Sequence, residues 1–361
     1  MDNLAPLISD LALILIVAGV VTLIFKRLKQ PLVLGYIVGG FLAGPHMPYT
    51  PSVEDLTSIH LWSEIGVIFL MFTLGLEFSF KKIVKMGIGP VIAACTVMFC
   101  MIGVGRFLGA LFGWDSMNSL FLGGMLAMSS TTIIYKALDD LGLRQQKFAG
   151  EVLSVLILED ILGILLMVVL SALAVSRHFE GAELMGSLLK LGFFLILWFV
   201  VGVYLVPLFL RGTRKWMNRE TLLVVSVGLC FLLVVIASKA GYSSAFGAFM
   251  MGSILAETVE AESIERVTTP VKDLFGAIFF VSVGMLFDPR VIMEQPGPLI
   301  ATVLIIVVGK SLAAFAIVRA FGHPTKTALT VSDSLAQIGE FSFILAGLGT
   351  SLAILPTEGR D

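Results

Sequence analysis

Apolar runs separated by short charged or Pro/Gly-bearing connections fill this chain from end to end and restrict what it can fold into. Hydrophobic residues make up 57% of its 361 residues and charged residues only 14%, a composition outside the range of soluble domains. A bilayer-spanning helix needs about 20 apolar residues, and shorter ones can be sheltered by neighbours or kinked. We count twelve runs, at residues 7–25, 31–44, 61–78, 87–112, 117–138, 148–175, 187–210, 221–238, 243–256, 274–287, 299–318 and 327–353. The sequence therefore predicts an all-α polytopic membrane protein with one membrane domain over residues 1–361.

Charged residues are sorted between the loops in a way that predicts orientation. The 24 basic and 26 acidic residues nearly balance, which argues against a nucleic-acid partner because such partners require a concentrated basic face. Alternate loops hold seventeen basic residues and the opposite loops hold three, Arg177, Lys239 and Arg290. Because basic loops stay in the cytoplasm, we expect a multi-pass protein of the cell (inner) membrane with its amino terminus outside.

The number of runs bears on internal symmetry. Transporters of this size often consist of two repeats of opposite orientation, with discontinuous helices that meet near the midplane. Two six-helix repeats joined by one linker helix would require thirteen helices, whereas twelve are visible. We therefore expect an inverted-repeat fold with two crossing discontinuous helices, in a chain that lacks a final helix.

An adjacent carboxylate pair, Glu159 and Asp160, lies midway along run 148–175. Ionisable groups at that depth cost several kcal/mol and usually mark an ion or proton path. Sequence neighbours on a helix project about 100° apart, so we expect one carboxylate to face a cavity and the other a fixed partner. A carboxylate that holds either a cation or a proton would couple their movements. The alternative is a structural salt bridge.

Four consecutive hydroxyl residues interrupt the fifth run, and they are Ser129, Ser130, Thr131 and Thr132. Four neighbours point in every direction around a helix, so they cannot all face one partner. They predict an interrupted helix whose hydroxyls and carbonyls line a cation site. The alternative, equally weighted on this motif alone, is that small hydroxyl residues satisfy their own backbone or allow close helix packing.

Polar residues in the last two runs complete the candidate site. Lys310 lies near the middle of run 299–318, where a lone ammonium would be strongly destabilising; we expect a counter-ion in the acidic pair. In the twelfth run, Asp333, Gln337 and Glu340 follow the i, i+4, i+7 spacing of one helical face, and Gly339 offers a place to break. The alternative for this polar crossing is hydrogen bonding that merely holds the helices together.

Four motifs in this order and spacing resemble the second monovalent cation:proton antiporter family, most closely its Kef-type potassium efflux branch. The motifs are Ser129-Ser130-Thr131-Thr132, Leu158-Glu159-Asp160-Ile161, the stretch 279–289, and Gln337-Ile338-Gly339-Glu340-Phe341-Ser342. The resemblance implies thirteen helices in two inverted repeats, a homodimer, Asp160 as the shared cation and proton carboxylate, and Lys310 as the core lysine. Glu159 departs from the branch, which commonly has an amide there. A nucleotide or other regulator would belong to a cytoplasmic domain outside this chain, which itself shows no glycine-rich fingerprint and is expected to hold no cofactor.

The sequence thus predicts a secondary transporter rather than an enzyme. It would exchange a transported K+ (favoured) or Na+ for H+ by alternating access, with either ion bound at the buried carboxylate of Asp160. One alternative is a channel-like K+ conductance through the same polar crossing, although no segment resembles the TVGYG selectivity filter. A remote alternative is an intramembrane hydrolase, but HExxH and GxSxG motifs are absent from the sequence.

Overall fold

The structure is a computed structural model that describes residues 4–47, 56–77, 88–131, 134, 138, 145–176, 189, 192, 196, 200, 202, 204–240, 242–294, 296–320, 322, 324–339 and 341–351. Its helices are α1 (Leu4–Arg27), α2 (Leu32–Leu42), α3 (Leu56–Glu77), α4 (Ile88–Leu111), α5 (Ser116–Ala127), α6 (Lys147–Ser176), α7 (Arg219–Lys239), α8 (Ser244–Ala256), α9 (Ala261–Met285), α10 (Pro289–Glu294), α11 (Pro296–Leu304), α12 (Ser311–Ala320), α13 (Thr325–Leu335) and α14 (Phe341–Ser351). A 3-10 turn precedes α7 (Arg214–Trp216), and a π-helical turn (Ile305–Lys310) joins α11 to α12.

Within the described residues, five helical stretches are long and apolar enough to cross a membrane, which are Ile8–Arg27, Ile88–Leu111, Arg219–Lys239, Ala261–Met285 and Pro296–Ala320. Shorter apolar helices, such as Leu32–Leu42 and Ser244–Ala256, lie between them. The predicted all-α membrane architecture is confirmed. Half of run 187–210 falls outside the described residues.

The ends of several helices follow from local sequence. Asp115, Asn218 and Ser243 cap α5, α7 and α8, because each side chain accepts a hydrogen bond from a backbone N–H in the first turn, at 2.7, 2.8 and 3.2 Å. Such caps satisfy donors that have no partner within the helix. These helices begin within two residues of the predicted runs.

The start of α9 differs from the prediction. The tenth run was predicted from residue 274, with a charged loop before it, but α9 begins at Ala261. Ile264, Val267 and Thr268 are buried and share one face at i, i+3, i+4 spacing. The first half of α9 is therefore amphipathic, and its outward charged residues lower the hydropathy that a search for apolar runs depends on.

The chain forms two compact units, each built from both halves of the sequence. The first unit comprises Met1–Ser79 and His178–Pro289. Its core includes Ile14, Ile59, Ile278 and Val281. Glycines bring its helices together: a Cβ atom on Gly252 would overlap the Phe72 carbonyl oxygen.

The second unit comprises Phe80–Arg177 and Arg290–Asp361. Its core includes Ile134, Leu156, Ala314 and Leu335. Two helical runs of this unit are interrupted, after α5 and between α13 and α14. These are the fifth and twelfth runs, so the predicted discontinuous helices are confirmed.

Candidate ion-binding site at the two helix interruptions

The first interruption begins where α5 ends at Ala127. Met128 is extended, with φ −76° and ψ 129°, residues 128–130 are not helical, and helical backbone resumes at Thr131. Each helix end leaves backbone groups without partners inside the helix. Because lipid supplies no hydrogen bonds, other protein groups must satisfy them.

The second interruption follows α13. Ala336, with φ −74° and ψ 48°, ends the helix, and residues 336–339 are not helical before α14 begins. The interruption exposes the Gln337 carbonyl and the Gly339 N–H for bonds outside the helix.

Groups at each interruption form hydrogen bonds with free backbone groups of the other. The backbone N–H of Gly339 donates to the Met128 carbonyl at 3.0 Å. The backbone N–H of Ser130 donates to Gln337 Oε1 at 3.0 Å, and Gln337 Nε2 donates to the Ser130 carbonyl at 3.4 Å. The crossing is therefore a hydrogen-bonded unit.

Gly339 permits the close approach of the two segments. A Cβ atom at this position would lie 2.5 Å from the Ser129 carbonyl oxygen and 2.9 Å from the Ser130 nitrogen. Both are backbone atoms, so only a backbone shift could accommodate a larger residue. The glycine predicted as a break point is also the contact point.

Lys310 lies at the end of the π-helical turn and is 1% exposed. Its Nζ donates to the carbonyls of Met128, at 2.9 Å, and of Gln337, at 3.0 Å. Both carbonyls lie just beyond helix carboxyl ends, where the helix dipole concentrates partial negative charge. The ammonium thus binds one carbonyl from each interruption.

The predicted counter-ion of Lys310 needs refinement. Glu159 is the opposite charge that acts on it electrostatically, but the hydrogen bonds of Nζ go to the two carbonyls. The prediction considered only formal charges, whereas the interrupted helices supply partial charges at closer range.

The two neighbouring carboxylates have different surroundings, as their 100° separation on a helix predicts. Asp160 is partly exposed, and its Oδ2 accepts a hydrogen bond from Thr131 Oγ1 at 3.0 Å. Glu159 is 1% exposed, and the buried Ser129 hydroxyl lies close enough to its carboxylate to interact with it. Asp160, which was predicted to be buried, is thus the more exposed of the two acids.

Asp333 is exposed on α13, and Thr132 and Glu340 lie outside the described residues. For Asp333 and Gln337 the predicted shared helical face is wrong, because α13 ends at Leu335 and the spacing rule assumes an unbroken helix. Gln337 reaches the site from the interruption itself.

One contributor was missed by the sequence analysis. The carbonyl of Met128 accepts hydrogen bonds from both Lys310 and Gly339, while its side chain packs against α6 so closely that a Cβ on Gly163 would lie 2.5 Å from the sulfur. Every residue has a backbone carbonyl, so the residue type at position 128 does not single this one out. The available signal was that Met128 directly precedes the hydroxyl run.

Comparison with known proteins places the chain in a family. A family profile described as "Sodium/hydrogen exchanger, transmembrane" matches residues 12–358. YbaL of Escherichia coli (strain K12), which carries the name of a cation/proton antiporter, is 35% identical over all of this chain and 66% of its own length. K(+) efflux antiporter 5 of Arabidopsis thaliana is 29% identical over 98% of this chain and 62% of its own length. The K(+)/H(+) antiporter subunit KhtU of Bacillus subtilis (strain 168) is 28% identical, over 95% and 86%. The chain thus spans about two thirds of the length of YbaL and K(+) efflux antiporter 5.

The fold also has a solved counterpart. The sodium proton antiporter MjNhaP1 from Methanocaldococcus jannaschii aligns with a TM-score of 0.69 at 18% identity, over 98% of each chain. At that identity the likeness concerns the fold. The family resemblance carried by the four motifs is confirmed, and the chain belongs to the sodium/hydrogen exchanger family.

Proposed function

We propose that this chain exchanges a monovalent cation for H+ by alternating access, with K+ favoured over Na+ and with Asp160 as the carboxylate that binds either ion. The observation that carries the proposal is the position of Asp160: it is partly exposed, it lies beside the interrupted helix, and it accepts a hydrogen bond from Thr131. Relatives named as cation/proton or K(+)/H(+) antiporters support this reaction class. K(+) efflux antiporter 5 and KhtU, whose names specify K+, support the preference for K+.

The coupling rule follows from electrostatics. An ionised carboxylate is costly in the low-dielectric interior of a membrane protein. Binding of either a cation or a proton neutralises Asp160, and only the neutral form changes its exposure from one side to the other. Since one carboxylate cannot hold both, movement of one ion in one direction requires movement of the other in return.

The surrounding polar groups suit a monovalent cation. Hydroxyl, carbonyl and carboxylate oxygens are the ligands that hard cations prefer. Thr131 supplies a hydroxyl in contact with Asp160, and we propose that Ser129 and Ser130 add further oxygens. Glu159 adds a buried acid whose charge is opposed by Lys310. We propose further that the protein functions as a homodimer in the cell (inner) membrane with its amino terminus outside.

The test is an ion-exchange assay in liposomes that contain the purified chain and a lumenal pH dye. Addition of external K+ is expected to move H+ out of the vesicle, Na+ to act more weakly, and empty liposomes to give no response. The same series with Li+, and under an imposed membrane potential, measures ion preference and electrogenicity. A channel would instead carry a large K+ current without coupled H+ movement, and that result would refute exchange.

A further inference from the structure

The side-chain amide of Gln337 makes both of its hydrogen bonds to the main chain of one residue, Ser130. Its Oε1 accepts from the Ser130 N–H at 3.0 Å, and its Nε2 donates to the Ser130 carbonyl at 3.4 Å. A side-chain amide has an acceptor and a donor side by side, whereas a carboxylate accepts only and an ammonium donates only. Gln337 therefore fixes both the N–H and the carbonyl of Ser130.

Ser130 begins the helical backbone that carries the candidate cation ligands. Its carbonyl also accepts the N–H of Ile134 at 3.2 Å, which is the first bond of the resumed helix. Because the carbonyl of the capping residue accepts the first intrahelical bond, the position of Ser130 determines where the helix starts. It also determines the direction of the next side chain, Thr131.

Thr131 connects this arrangement to the ion-binding carboxylate. Its Oγ1 donates to Asp160 Oδ2 at 3.0 Å. A hydrogen bond of this length depends on the direction as well as the distance of the donor, so a small rotation of the resumed helix would weaken it. The path from Gln337 to Asp160 runs through two adjacent residues and three hydrogen bonds.

We infer that Gln337 is a positioning residue for cation binding: it fixes Ser130, and thereby aims the Thr131 hydroxyl at Asp160, so that it sets apparent cation affinity rather than turnover. This inference rests on the proposed exchange function. It is separate from the role of Lys310, whose ammonium donates to the carbonyls of Met128 and Gln337.

The test is a double-mutant cycle that combines Gln337→Leu with Thr131→Val, measured as K+-driven H+ exchange in liposomes. Each single variant is expected to raise the KM for K+ about tenfold, the scale of a hydrogen bond to a charged group, with the maximal rate changed less than about threefold. Because both act on the same hydrogen bond, the double variant is expected to resemble Thr131→Val alone. Coupled residues are non-additive, and independent ones add.

Ser342→Ala is the matched control. The Ser342 hydroxyl donates to the Met125 carbonyl at 2.7 Å, so it also joins the two interrupted segments, but its hydrogen bond ends on α5 rather than on residue 130 or 131. Its removal is expected to lower the melting temperature without raising KM, alone or in the Thr131→Val background. If Gln337→Leu cannot be purified folded, Gln337→Asn replaces it, since it keeps the amide but shortens its reach by one methylene.

Three results would overturn the inference, and the first two are an unchanged KM in a folded Gln337 variant and effects of Gln337→Leu and Thr131→Val that multiply fully. A KM increase equally large in Ser342→Ala would also overturn it, because loosening the crossing anywhere would then be enough. Wild-type protein is measured in parallel. Absence of K+-driven H+ exchange in the wild type would refute the proposed function itself, a different failure from loss of the non-additivity.

Discussion

Buried hydroxyls in the first unit and polar side chains at the crossing in the second unit find their hydrogen-bond partners in different places. In the first unit, buried hydroxyls bond to carbonyls three or four residues earlier in their own helix, as with Thr73 to Phe69 at 2.9 Å, Ser253 to Phe249 at 3.0 Å, and Thr268 to Ile264 at 2.8 Å. In the second unit, polar side chains around the crossing bond to distant parts of the chain. The Gln337 amide and the Lys310 ammonium bind backbone groups 207 and 182 residues away.

The difference follows from how each unit satisfies its backbone. The helices of the first unit keep their internal hydrogen bonds and approach closely through small residues, as where Gly252 meets Phe72 and Gly75; such contacts need no polar group. The interrupted helices of the second unit lack internal partners, so side chains must supply them. A polar residue in an apolar run is therefore evidence for a site only when its partner lies on another segment.

The largest expected effect concerns Asp160. Asp160→Asn keeps the size of the side chain and can still accept from Thr131, but it cannot be neutralised by binding a cation or a proton. We expect exchange in liposomes to fall to the background of empty vesicles while the melting temperature changes little.

The matched control is Asp273→Asn in the first unit, where the carboxylate side chain is 66% exposed. It should exchange at the wild-type rate. If cation-driven H+ movement persists in Asp160→Asn, the proposed role of Asp160 is refuted, and exchange no longer distinguishes the second unit from the first.

Lys310→Ala should have the largest effect on stability. It removes the donor to the buried Met128 carbonyl and the partly buried Gln337 carbonyl, and it takes away the ammonium that acts electrostatically on the buried Glu159. Truncating one member of a buried charged arrangement costs about 3–5 kcal/mol, so we expect a clear fall in the melting temperature of the purified protein.

Lys326→Ala provides the comparison, because Lys326 is exposed on α13. Its melting temperature should match the wild type. Equal melting curves for the two lysine variants would show that the buried ammonium does not stabilise the crossing.

The positions of the two helix interruptions could be predicted from the sequence, but most of the hydrogen bonds between them could not. Ser129–Thr132 and Gly339 predicted both interruptions, because hydroxyls pointing all round a helix and a glycine in a polar stretch are incompatible with an ordinary apolar span. The hydrogen bonds from Lys310 to two carbonyls could not be predicted from the sequence, because every residue has a backbone carbonyl and residue type does not single one out. The shared helical face predicted for Asp333 and Gln337 was wrong because the helix is interrupted between them, as Gly339 had already indicated.

Alanine at selected glycines separates packing from function. In Gly339→Ala the new Cβ would collide with the Ser129 backbone, and in Gly252→Ala with the Phe72 carbonyl. Overpacking of this kind costs about 1–3 kcal/mol, so both variants should melt at lower temperature. Only Gly339→Ala should also lower the exchange rate per folded molecule, because it displaces the segment next to Asp160.

Gly103→Ala is the control for these variants, since a Cβ there would meet nothing within 4 Å. It should melt at or slightly above the wild-type temperature, because alanine is the better helix former. A loss of exchange in Gly252→Ala as large as that in Gly339→Ala would mean that packing in the first unit limits transport as strongly as the crossing does.

The smallest expected effect is that of Thr268→Val in the first unit. The Thr268 hydroxyl is fully buried and donates to the Ile264 carbonyl, but that carbonyl also accepts a backbone N–H within α9. Replacing the hydroxyl by a methyl group of similar shape therefore leaves no buried acceptor without a partner, and the loss should stay below about 1 kcal/mol. Thr131→Val makes the same chemical change in the second unit, where the hydroxyl binds Asp160 instead of its own helix. Melting temperature and KM for K+, measured on both variants, should show a small or absent effect at position 268 and an affinity defect at position 131. Equal affinity defects would mean that the partner of a buried hydroxyl does not determine its role, and the distinction between the two units would fail.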